Sequence, residues 1–535
     1  MKGKTLTKLS IALITALTAF HANAYVHEST GMNTQVNGLP SDRVKFIGAN
    51  YINNGPDEYQ EELIAMYGDH TAGEYNANTV GDVNFVVNTS AIDLDRSYIY
   101  GAGVVYGNKG QDNNLNSATV KGNVNLTIQN LGQTSQIANK DINVYGGGEV
   151  GTFTGNASVM GNVTINVANV YVQEMEVTGG GRTDGDPKTD VYDPALADVS
   201  GKVTINVENA NFGAGGAIYG AGDSWGEAAS SSIGSVEINA TNLIFDSELG
   251  LDDESINIIM GGGIAMNRGT SDVNGDVNIN LNNVNVLYVM GGGSTVNDAD
   301  DEELDGQPRY YGTSASVKGN VNLSLTNSTV DTIIGGGTTG GSLWGDDVLY
   351  PPAEDSGYGT ASVTGNVTVT LAGNTTVKDI YLAGSGPEAN VNGDATLVLQ
   401  DSAVKVTGNI HGKDQPSQGN IIGTSKILFG SNYKGSFDTN FQGIDILEAS
   451  EGAEVNLTLD NSRASDAVMF SGNGIFNAEI TRSAELTINA KVNASKLQLN
   501  AGEGEKILIM GENGVLTTST DQVFTEALNA QGTNK

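Results

Sequence analysis

An eleven-residue pattern of alternating small and aliphatic residues recurs along this chain. It has the form Ala-x-Val-x-Gly-x-Val-x-aliphatic-x-aliphatic, and clear copies occupy residues 118–128, 157–167, 197–207, 315–325 and 361–371. Alternation with a period of two residues predicts a β-strand with one buried face. A glycine in the buried row predicts a bend or a close contact with another layer. Recurrence of such a unit predicts a solenoid in which neighbouring repeats share one core.

The spacing of the repeat shows where segments of variable length lie. Successive central glycines, from Gly81 to Gly393, are 28 to 46 residues apart. After each repeat, a second predicted strand runs into a glycine triplet, meaning Gly-Gly-Gly or Gly-Ala-Gly. A polar stretch follows each triplet, and the longest ones span residues 182–196, 294–314 and 338–360. We expect them to leave the coil as loops at one corner, which is where stacked repeats often bind ligands.

The fold class that follows is all-β, a parallel β-helix with loop insertions at one corner. The usual hand of parallel crossover connections predicts a right-handed coil. We expect the triplets to be glycine for two reasons, which are backbone freedom and the absence of side-chain bulk where rungs stack. A phosphate-cradling role is not favoured, because no helix start and no Gly-Lys-Ser/Thr sequence follows the triplets.

The N-terminus carries the pattern of a secretory signal peptide. Three lysines precede an apolar segment at residues 9–20, and Ala22 and Ala24 form a small-x-small cleavage site. The apolar segment is too short to span a bilayer as a helix, which needs about 20 residues. We therefore assign residues 1–24 to a cleaved signal.

Residues 25–78 do not follow the repeat, and we expect them to form an N-terminal cap that covers the exposed sheet edge. Within the cap, residues 57–67 are predicted as one short helix. Pro56 precedes this segment, acidic residues occupy its first turn, and Gly68 follows it.

The remainder of the chain divides by the regularity of its repeat. Residues 79–400 are predicted to form about nine rungs with glycine triplets and variable acidic loops. Residues 401–521 predict further rungs with shorter turns. Residues 522–535 lose the alternation, so we expect a frayed tail.

Charge and cysteine content exclude several classes of function. The formal net charge is −36, so the chain repels nucleic acid and anionic membranes. The chain contains no cysteine, which excludes disulfides and thiolate chemistry.

Histidine and acidic residues give no clear catalytic or metal site. The histidines of the mature chain, His27, His70 and His411, are far apart in sequence, so we interpret them as lone surface or loop residues. Acidic segments at residues 183–193, 247–255 and 297–306 offer oxygen ligands but lack the spacing of an EF-hand. We favour solvated surface for them, with calcium binding as the alternative. We predict no catalytic residue, no metal ligand and no cofactor.

Aromatic residues in the post-triplet segments are the candidate ligand-binding residues. Both tryptophans of the chain lie there, beside glycine and acidic residues, and several tyrosines accompany them. Rings beside carboxylates suit the binding of carbohydrate or protein. The alternative is that each ring folds back and anchors its own loop. The candidates are Trp225, Trp344, Tyr311 and Tyr350.

Together, these features resemble the β-helical passenger region of Gram-negative autotransporter adhesins, the type V secretion family. The features are the signal, the cysteine-free acidic composition, the Gly-Asn-Val-x-Ile-x-Val repeats and the glycine triplets. Residues 441–447 and 452–457 are similar to rungs that such passengers carry near their C-terminal end. The resemblance covers most of residues 80–510. It implies a protein secreted or displayed on the surface of a Gram-negative cell.

The resemblance has one departure, which concerns the translocator. The outer-membrane barrel of the family has no counterpart in this sequence, whose last residues are Ala530 to Lys535. Three alternatives follow, which are a truncated open reading frame, a passenger whose membrane barrel translocator is a partner outside this chain, and a secreted relative. A barrel, if supplied, would make the protein outer-membrane associated.

The leading functional hypothesis is adhesin-like binding of a host-surface glycan or protein, or of neighbouring cells, without chemistry. The alternatives are a polysaccharide-degrading β-helix enzyme, either hydrolase or lyase, and a structural surface-layer or biofilm-matrix protein. An enzyme predicts one groove lined by charged residues that break the repeat. An adhesin predicts aromatic residues clustered along one edge, and a scaffold predicts featureless polar faces.

Overall fold

The chain folds into a parallel β-helix, an all-β solenoid, in a computed structural model. The structure describes residues 26–29, 32–36, 44–53, 63–66, 76–88, 97–106, 116–132, 138–151, 155–184, 195–226, 229–245, 257–296, 313–341, 359–413, 419–464, 466–500, 507–518 and 522–524. No helix occurs in these ranges, and all pairings between their strands are parallel. The predicted fold class is confirmed.

Each turn of the coil contributes strands to three parallel sheets, which we call face 1, face 2 and face 3. A short ladder of paired residues closes the corner between face 3 and face 1. The strands of face 1 are Met32–Val36, Val83–Asn88, Val124–Gln129, Val163–Thr178, Val199–Asn211, Ile233–Ile244, Val277–Met290, Val321–Thr326, Val367–Ala372, Ala395–Asp401, Ser425–Asn432, Ile446–Ala449, Val468–Arg482, Leu486–Leu499 and Leu508–Met510. Several of these are long enough to turn the corner, so that Val163–Thr178 and Val277–Met290 also contribute to face 2.

Face 2 continues each rung from face 1 to the glycine triplet. Its other strands are Val44–Ile47, Leu63–Met66, Ser97–Tyr100, Ala138–Tyr145, Ala217–Tyr219, Ile258–Met260, Thr329–Ile334, Thr376–Tyr381, Lys405–Val406, Asn409–His411 and Asn440–Gln442. In the C-terminal rungs, a separate column of paired strands lies beside face 1. It contains Lys434–Phe437, Glu454–Asp460, Val515–Thr518 and Gln522–Phe524.

Face 3 follows the triplets and is an eight-stranded parallel sheet. Its strands are Tyr51–Asn53, Val104–Tyr106, Glu149–Val150, Arg182–Asp184, Asp223–Trp225, Ile264–Met266, Ser294–Val296 and Thr338–Gly341. The corner ladder contains Val26–Ser29, Asn76–Thr79, Gly155–Asn156, Ala195–Leu196 and Ala229–Ser230.

The prediction that the polar stretches become loops directly after each triplet was therefore wrong. The first residues of the three longest stretches, Arg182–Asp184, Ser294–Val296 and Thr338–Gly341, belong to face 3. These strands are only three or four residues long and consist mainly of polar residues and glycine, so they carry no readable alternation. The middles of the stretches, residues 185–194, 297–312 and 342–358, lie outside the described residues.

The eleven-residue pattern is one continuous strand in only some copies. In the copy at residues 315–325, Val317 forms isolated bridges in the corner ladder, the chain bends at Gly319, and a strand starts at Val321. Val199–Asn211, by contrast, is one strand that includes its central glycine, although its pairing with the next rung shifts register between Val199 and Lys202. The expected close contact is present, because a Cβ at Gly319 would lie 2.5 Å from the carbonyl oxygen of Gly275 in the preceding rung.

The aliphatic positions of the repeat fill the interior. Val321, Leu323 and Leu325 are at most 1% exposed, whereas the intervening Asn322 and Ser324 face outward. Burying each such aliphatic side chain stabilises the fold by roughly 1.5–3 kcal/mol. Because identical types stack from rung to rung, one continuous core runs along the coil.

The glycine triplet is the point at which the coil is narrowest. A Cβ on the first glycine, Gly335, would lie 2.6 Å from the Leu382 carbonyl oxygen and 2.7 Å from Cγ1 of Val367 on face 1. A Cβ on the third glycine, Gly337, would lie 2.9 Å from the Cβ of Ala361 in the corner ladder. The first alanine of the repeat is therefore small because it faces a triplet. These positions are glycine because there is no space for a Cβ. Backbone conformation does not require glycine, since no residue from Gly335 to Gly337 has positive φ.

Asparagine ladders stabilise the turn between face 1 and face 2. The turn residue has a φ of 50–60° in successive rungs, for example Asn242 at 54° and Asn283 at 56°. Asparagine tolerates this left-handed conformation better than most residues. The Nδ2 of Asn283 donates a hydrogen bond of 2.8 Å to Oδ1 of Asn242, and Asn242 donates one of 2.9 Å to Asn209.

The predicted helix at residues 57–67 was wrong in its described part. Leu63–Met66 is a strand that pairs in parallel with Val44–Ile47 at the edge of face 2. Pairing with an existing sheet edge supplies backbone hydrogen bonds over a whole strand, which outweighs weak local helix signals. At the other end, the expected frayed tail includes the strand Gln522–Phe524, which pairs with Leu497 to Leu499.

The first prediction concerns the triplet. Gly335→Ala is expected to destabilise the coil by about 1–3 kcal/mol, because the added methyl group meets backbone that cannot move aside. Gly435→Ala is the matched control, since its Cβ would approach only the exposed Ser402 side chain, at 3.0 Å. Urea denaturation of both variants measures the effect, and equal midpoints would contradict the steric account.

The second prediction concerns the asparagine turn. Asn283→Ala is expected to cost about 1–2 kcal/mol, because alanine is strained at positive φ and forms no ladder hydrogen bond. Asn283→Gly is expected to lose less, because glycine adopts this conformation without strain. Thermal melting of the two variants separates strain from hydrogen bonding. An alanine variant as stable as the glycine variant would show that strain is not the cause.

Candidate ligand-binding groove

A row of side chains that do not belong to the interior core fills the inner angle between face 2 and face 3. The chain turns sharply at each triplet, so outward side chains just before the triplet pack against outward side chains just after it. These side chains form apolar clusters that are separate from the interior core. We call this surface the triplet groove. Its face 2 wall contains Tyr100, Tyr145, Tyr219, Met260, Met290 and Ile334, and its face 3 wall contains Val104, Glu149, Arg182, Asp223, Ile264 and Ser294.

Tyrosines dominate the N-terminal part of the groove. The rings of Tyr100 and Tyr145 stack at 5.2 Å between centroids, and those of Tyr98 and Tyr100 at 6.5 Å. Tyr51 and Tyr106 meet edge to face at 6.0 Å. Tyr100 and Tyr145 are buried, but Tyr98 remains partly exposed. The stacked buried rings support Tyr98, whose ring offers an apolar face with a polar edge.

Charged groups sit against these rings on face 3. Glu149 accepts a hydrogen bond of 3.0 Å from the Tyr106 hydroxyl. Glu149, Arg182 and Asp223 occupy equivalent positions in three successive rungs. Tyr145 and then Asp223 hold the pKa of Arg182 above its usual range, against the opposing effect of burial. The guanidinium thus stays charged between tyrosines and carboxylates.

Methionine and tryptophan line the middle of the groove. Met260 and Met290 are fully buried on face 2, and Met266 on face 3 is 9% exposed. Trp225 is partly buried against this cluster, and its indole Nε1 donates a hydrogen bond of 2.9 Å to Asp223. The sequence predicted a loop position for Trp225, whereas it lies in the face 3 strand Asp223–Trp225.

Toward the C-terminus, face 3 ends at Thr338–Gly341, and face 2 continues beyond it. There the ring of His411 stacks on Tyr381 at 4.5 Å with nearly parallel planes. His411 was expected to be a lone surface or loop residue, but it lies in the strand Asn409–His411 and packs on its neighbouring rung. His27 also lies in a strand, Val26–Ser29, and His70 is outside the described residues.

The remaining predicted site residues lie outside the described residues. They are Trp344, Tyr311, Tyr350, Ala22 and Ala24. Most of the three acidic segments also falls there. The structure therefore brings only Trp225 of the aromatic candidates into the groove.

The groove itself was missed by the sequence reasoning, although a signal was present. The residue before each triplet is tyrosine, methionine or isoleucine in most rungs, as at Tyr145, Met260 and Ile334. The interior core does not explain an apolar residue at the position before the triplet. The residue one position earlier points into the core, so this one points outward.

Neither a metal site nor a membrane-spanning helix is found in the described ranges. No group of three or more histidine or acidic residues in them is placed to hold a metal ion. No helix in them is long and apolar enough to cross a bilayer.

Comparison with known proteins finds no family model, no curated protein and no solved structure that matches this chain.

The third prediction follows from the buried tyrosines of the groove. Burial raises the pKa of Tyr145 well above its usual value, with a further contribution from Glu176. An unfolded tyrosine ionises near pH 10, so above that pH the unfolded state binds fewer protons than the folded state. The stability due to the neutral hydroxyl is complete below about pH 10 and is lost as pH rises toward the folded pKa.

Tyr145→Phe is therefore expected to reduce the alkaline loss of stability, because phenylalanine has no proton to release. Tyr171→Phe, at a half-buried position outside the groove, is the control. Urea midpoints at neutral and strongly alkaline pH measure the effect. The burial account would be contradicted if Tyr145→Phe lost as much stability with pH as the unmodified protein.

Proposed function

We propose that this protein is an exported bacterial surface or secreted protein that binds a host glycan or protein in an adhesin-like manner along the triplet groove. The observation that carries the proposal is the row of aromatic and sulfur side chains separate from the interior core, in which Tyr98, Trp225 and Tyr288 remain partly exposed to a ligand. Concave apolar surfaces with a few fixed polar groups are typical ligand sites. Export rests on the signal-peptide pattern at residues 1–24.

The repeating geometry of the groove supports binding of an extended ligand. Equivalent side chains recur once per rung along the face 3 sheet, so a linear ligand meets similar sites at regular intervals. Weak contacts on one rigid scaffold add up when the ligand spans several of them. Many of the polar groups already have protein partners, as Glu149 has with Tyr106 and Asp223 with Trp225. They hold the rings in place and favour recognition over chemistry.

The fourth prediction tests the groove as the binding surface. Purified protein spanning residues 25–535 is screened on a glycan array and on immobilised extracellular matrix proteins, and the best ligand is then titrated. Trp225→Ala is expected to weaken binding about tenfold or more, because a partly buried tryptophan is a typical interface hot spot. Trp225→Phe is expected to retain most of the affinity.

Ile244→Ala is the matched control, because it removes exposed apolar surface from another edge of the coil, where Ile244 is 49% exposed. Unchanged binding by Ile244→Ala with weakened binding by Trp225→Ala is the expected pattern. Equal affinity of all three variants, or the absence of any ligand, would count against the proposal.

A polysaccharide-degrading enzyme is the second candidate, and one observation favours it. Glu149, Arg182 and Asp223 form a charged row that interrupts the apolar wall of the groove. A pair of carboxylates is what a glycosidase requires, and here Glu149 and Asp223 flank the rung of Arg182. Depolymerisation of a polysaccharide by the purified protein, abolished by Glu149→Gln with binding retained, would replace the adhesin proposal by this one.

A further inference from the structure

A second concave site opens where two neighbouring rungs separate. The segments at residues 402–408 and 433–439 belong to successive rungs, which pair before the opening at Asp401 and Asn432 and after it at Asn409 and Asn440. Between these points, Lys405–Val406 pairs only with the preceding rung and Lys434–Phe437 only with the following one. We call the resulting cavity the rung opening. Its volume is about 490 Å³.

The rung opening is closed at both ends. A Cβ at Gly435 would lie 3.0 Å from the Cβ of Ser402, so the rungs touch at one end. At the other end, the Thr439 hydroxyl donates a hydrogen bond of 2.9 Å to the Val406 carbonyl oxygen. A polypeptide strand therefore cannot run through the opening, and only one end of a ligand can enter it.

Hydrophobic core side chains form the deeper walls of the opening, whereas most of its other lining residues are polar. Val404 and Val406 pack against the core but remain partly exposed, whereas interior residues of the neighbouring rungs are buried. The deeper walls are Leu399, Tyr433 and Phe437, each at most 3% exposed. The Tyr433 hydroxyl is occupied by a hydrogen bond of 2.9 Å to the Ser436 carbonyl oxygen. An apolar group of a ligand would thus meet core side chains directly.

The charged side chains at the rim determine which charged group a ligand can carry. Lys405 is exposed at the mouth and forms no ion pair with any described residue. The acidic group of the rim, Asp438, lies 3.6 Å from Arg463 and is partly neutralised by it. In a chain with a net charge of −36, an ammonium that has no ion pair among the described residues and lies beside buried core side chains favours an anionic group.

We propose that the rung opening binds a small anionic amphiphile, whose apolar chain or ring enters between the rungs while its carboxylate or sulfonate contacts Lys405. The volume lies within the range of roughly 300–1,000 Å³ that is usual for small-molecule sites. This site is separate from the triplet groove, because face 3 ends before it, at Thr338–Gly341.

Anilinonaphthalene sulfonate, a fluorescent aromatic anion, is the probe that tests this site on protein spanning residues 25–535. We expect saturable binding with one site per chain. Decanoate is expected to displace the probe, and decyltrimethylammonium, which has a similar tail and the opposite charge, is expected not to. Displacement by the cation equal to that by decanoate would overturn the assigned role of Lys405.

Two variants separate the apolar and the charged contributions. Val406→Trp fills the cavity and is expected to abolish saturable binding, with circular dichroism as the check on folding. Lys405→Met changes only an exposed residue and is expected to weaken binding about two- to fivefold, the range of a solvent-exposed ion pair. Lys434→Met, on the next rung and outside the cavity lining, is the control.

The expected pattern is loss with Val406→Trp, weakening with Lys405→Met and no change with Lys434→Met. Unchanged affinity in a folded Val406→Trp protein, or equal weakening by the two lysine variants, would overturn the proposal. The absence of saturable probe binding to the unmodified protein would overturn it as well. None of these results depends on whether the triplet groove binds a glycan or protein.

Discussion

The contact between glycine backbones of successive rungs is the constraint on which the rest of this structure depends. At the triplet, the chain of one rung lies so close to the next that no Cβ fits, and it also touches face 1 and the corner ladder. That approach turns the chain sharply and separates the interior into two lobes. It also explains the residues opposite, since Val367 meets the first glycine of a triplet and Ala361 the third. The triplet groove is the outer side of the same turn.

The polar side chains of the coil mainly form hydrogen bonds to the backbone or to the side chains of the neighbouring rungs. The Oδ1 of Asn366 accepts a hydrogen bond of 2.8 Å from the backbone amide of Asp394. The backbone amide of Asn366 donates one of 2.9 Å to Oδ1 of Asn320. Such ladders let a strongly acidic chain form long parallel sheets, because most contacts along the ladders are between neutral amides. The charged residues that depart from this rule, such as Glu149, Arg182 and Lys405, lie at the groove and at the rung opening. Function is therefore best sought where the ladders are interrupted.

The interior face of the repeat could be predicted from the sequence because period-two alternation and recurrence are strong signals. Val321, Leu323 and Leu325 followed the pattern and are buried as expected. The short strands of face 3 could not be predicted, because three residues such as Asp223 to Trp225 contain no periodicity. The strand Leu63–Met66 was mistaken for helix because its partner, Val44–Ile47, is distant in sequence. The middles of the polar stretches and three of the four aromatic candidates lie outside the described residues, so the candidate site was predicted only at Trp225.

Hydrogen exchange at the triplets tests the central claim most directly. Glycine-rich segments are ordinarily flexible and exchange rapidly. Here the Gly146 amide donates a hydrogen bond of 2.8 Å to the Thr178 carbonyl oxygen, and the Gly147 amide donates one of 2.9 Å to Gly180. We expect the amides of these triplets to exchange as slowly as those of the buried face 1 strand Val163–Thr178. Exchange at the rate of an unstructured linker would contradict the account, because the groove requires a rigid turn at every rung.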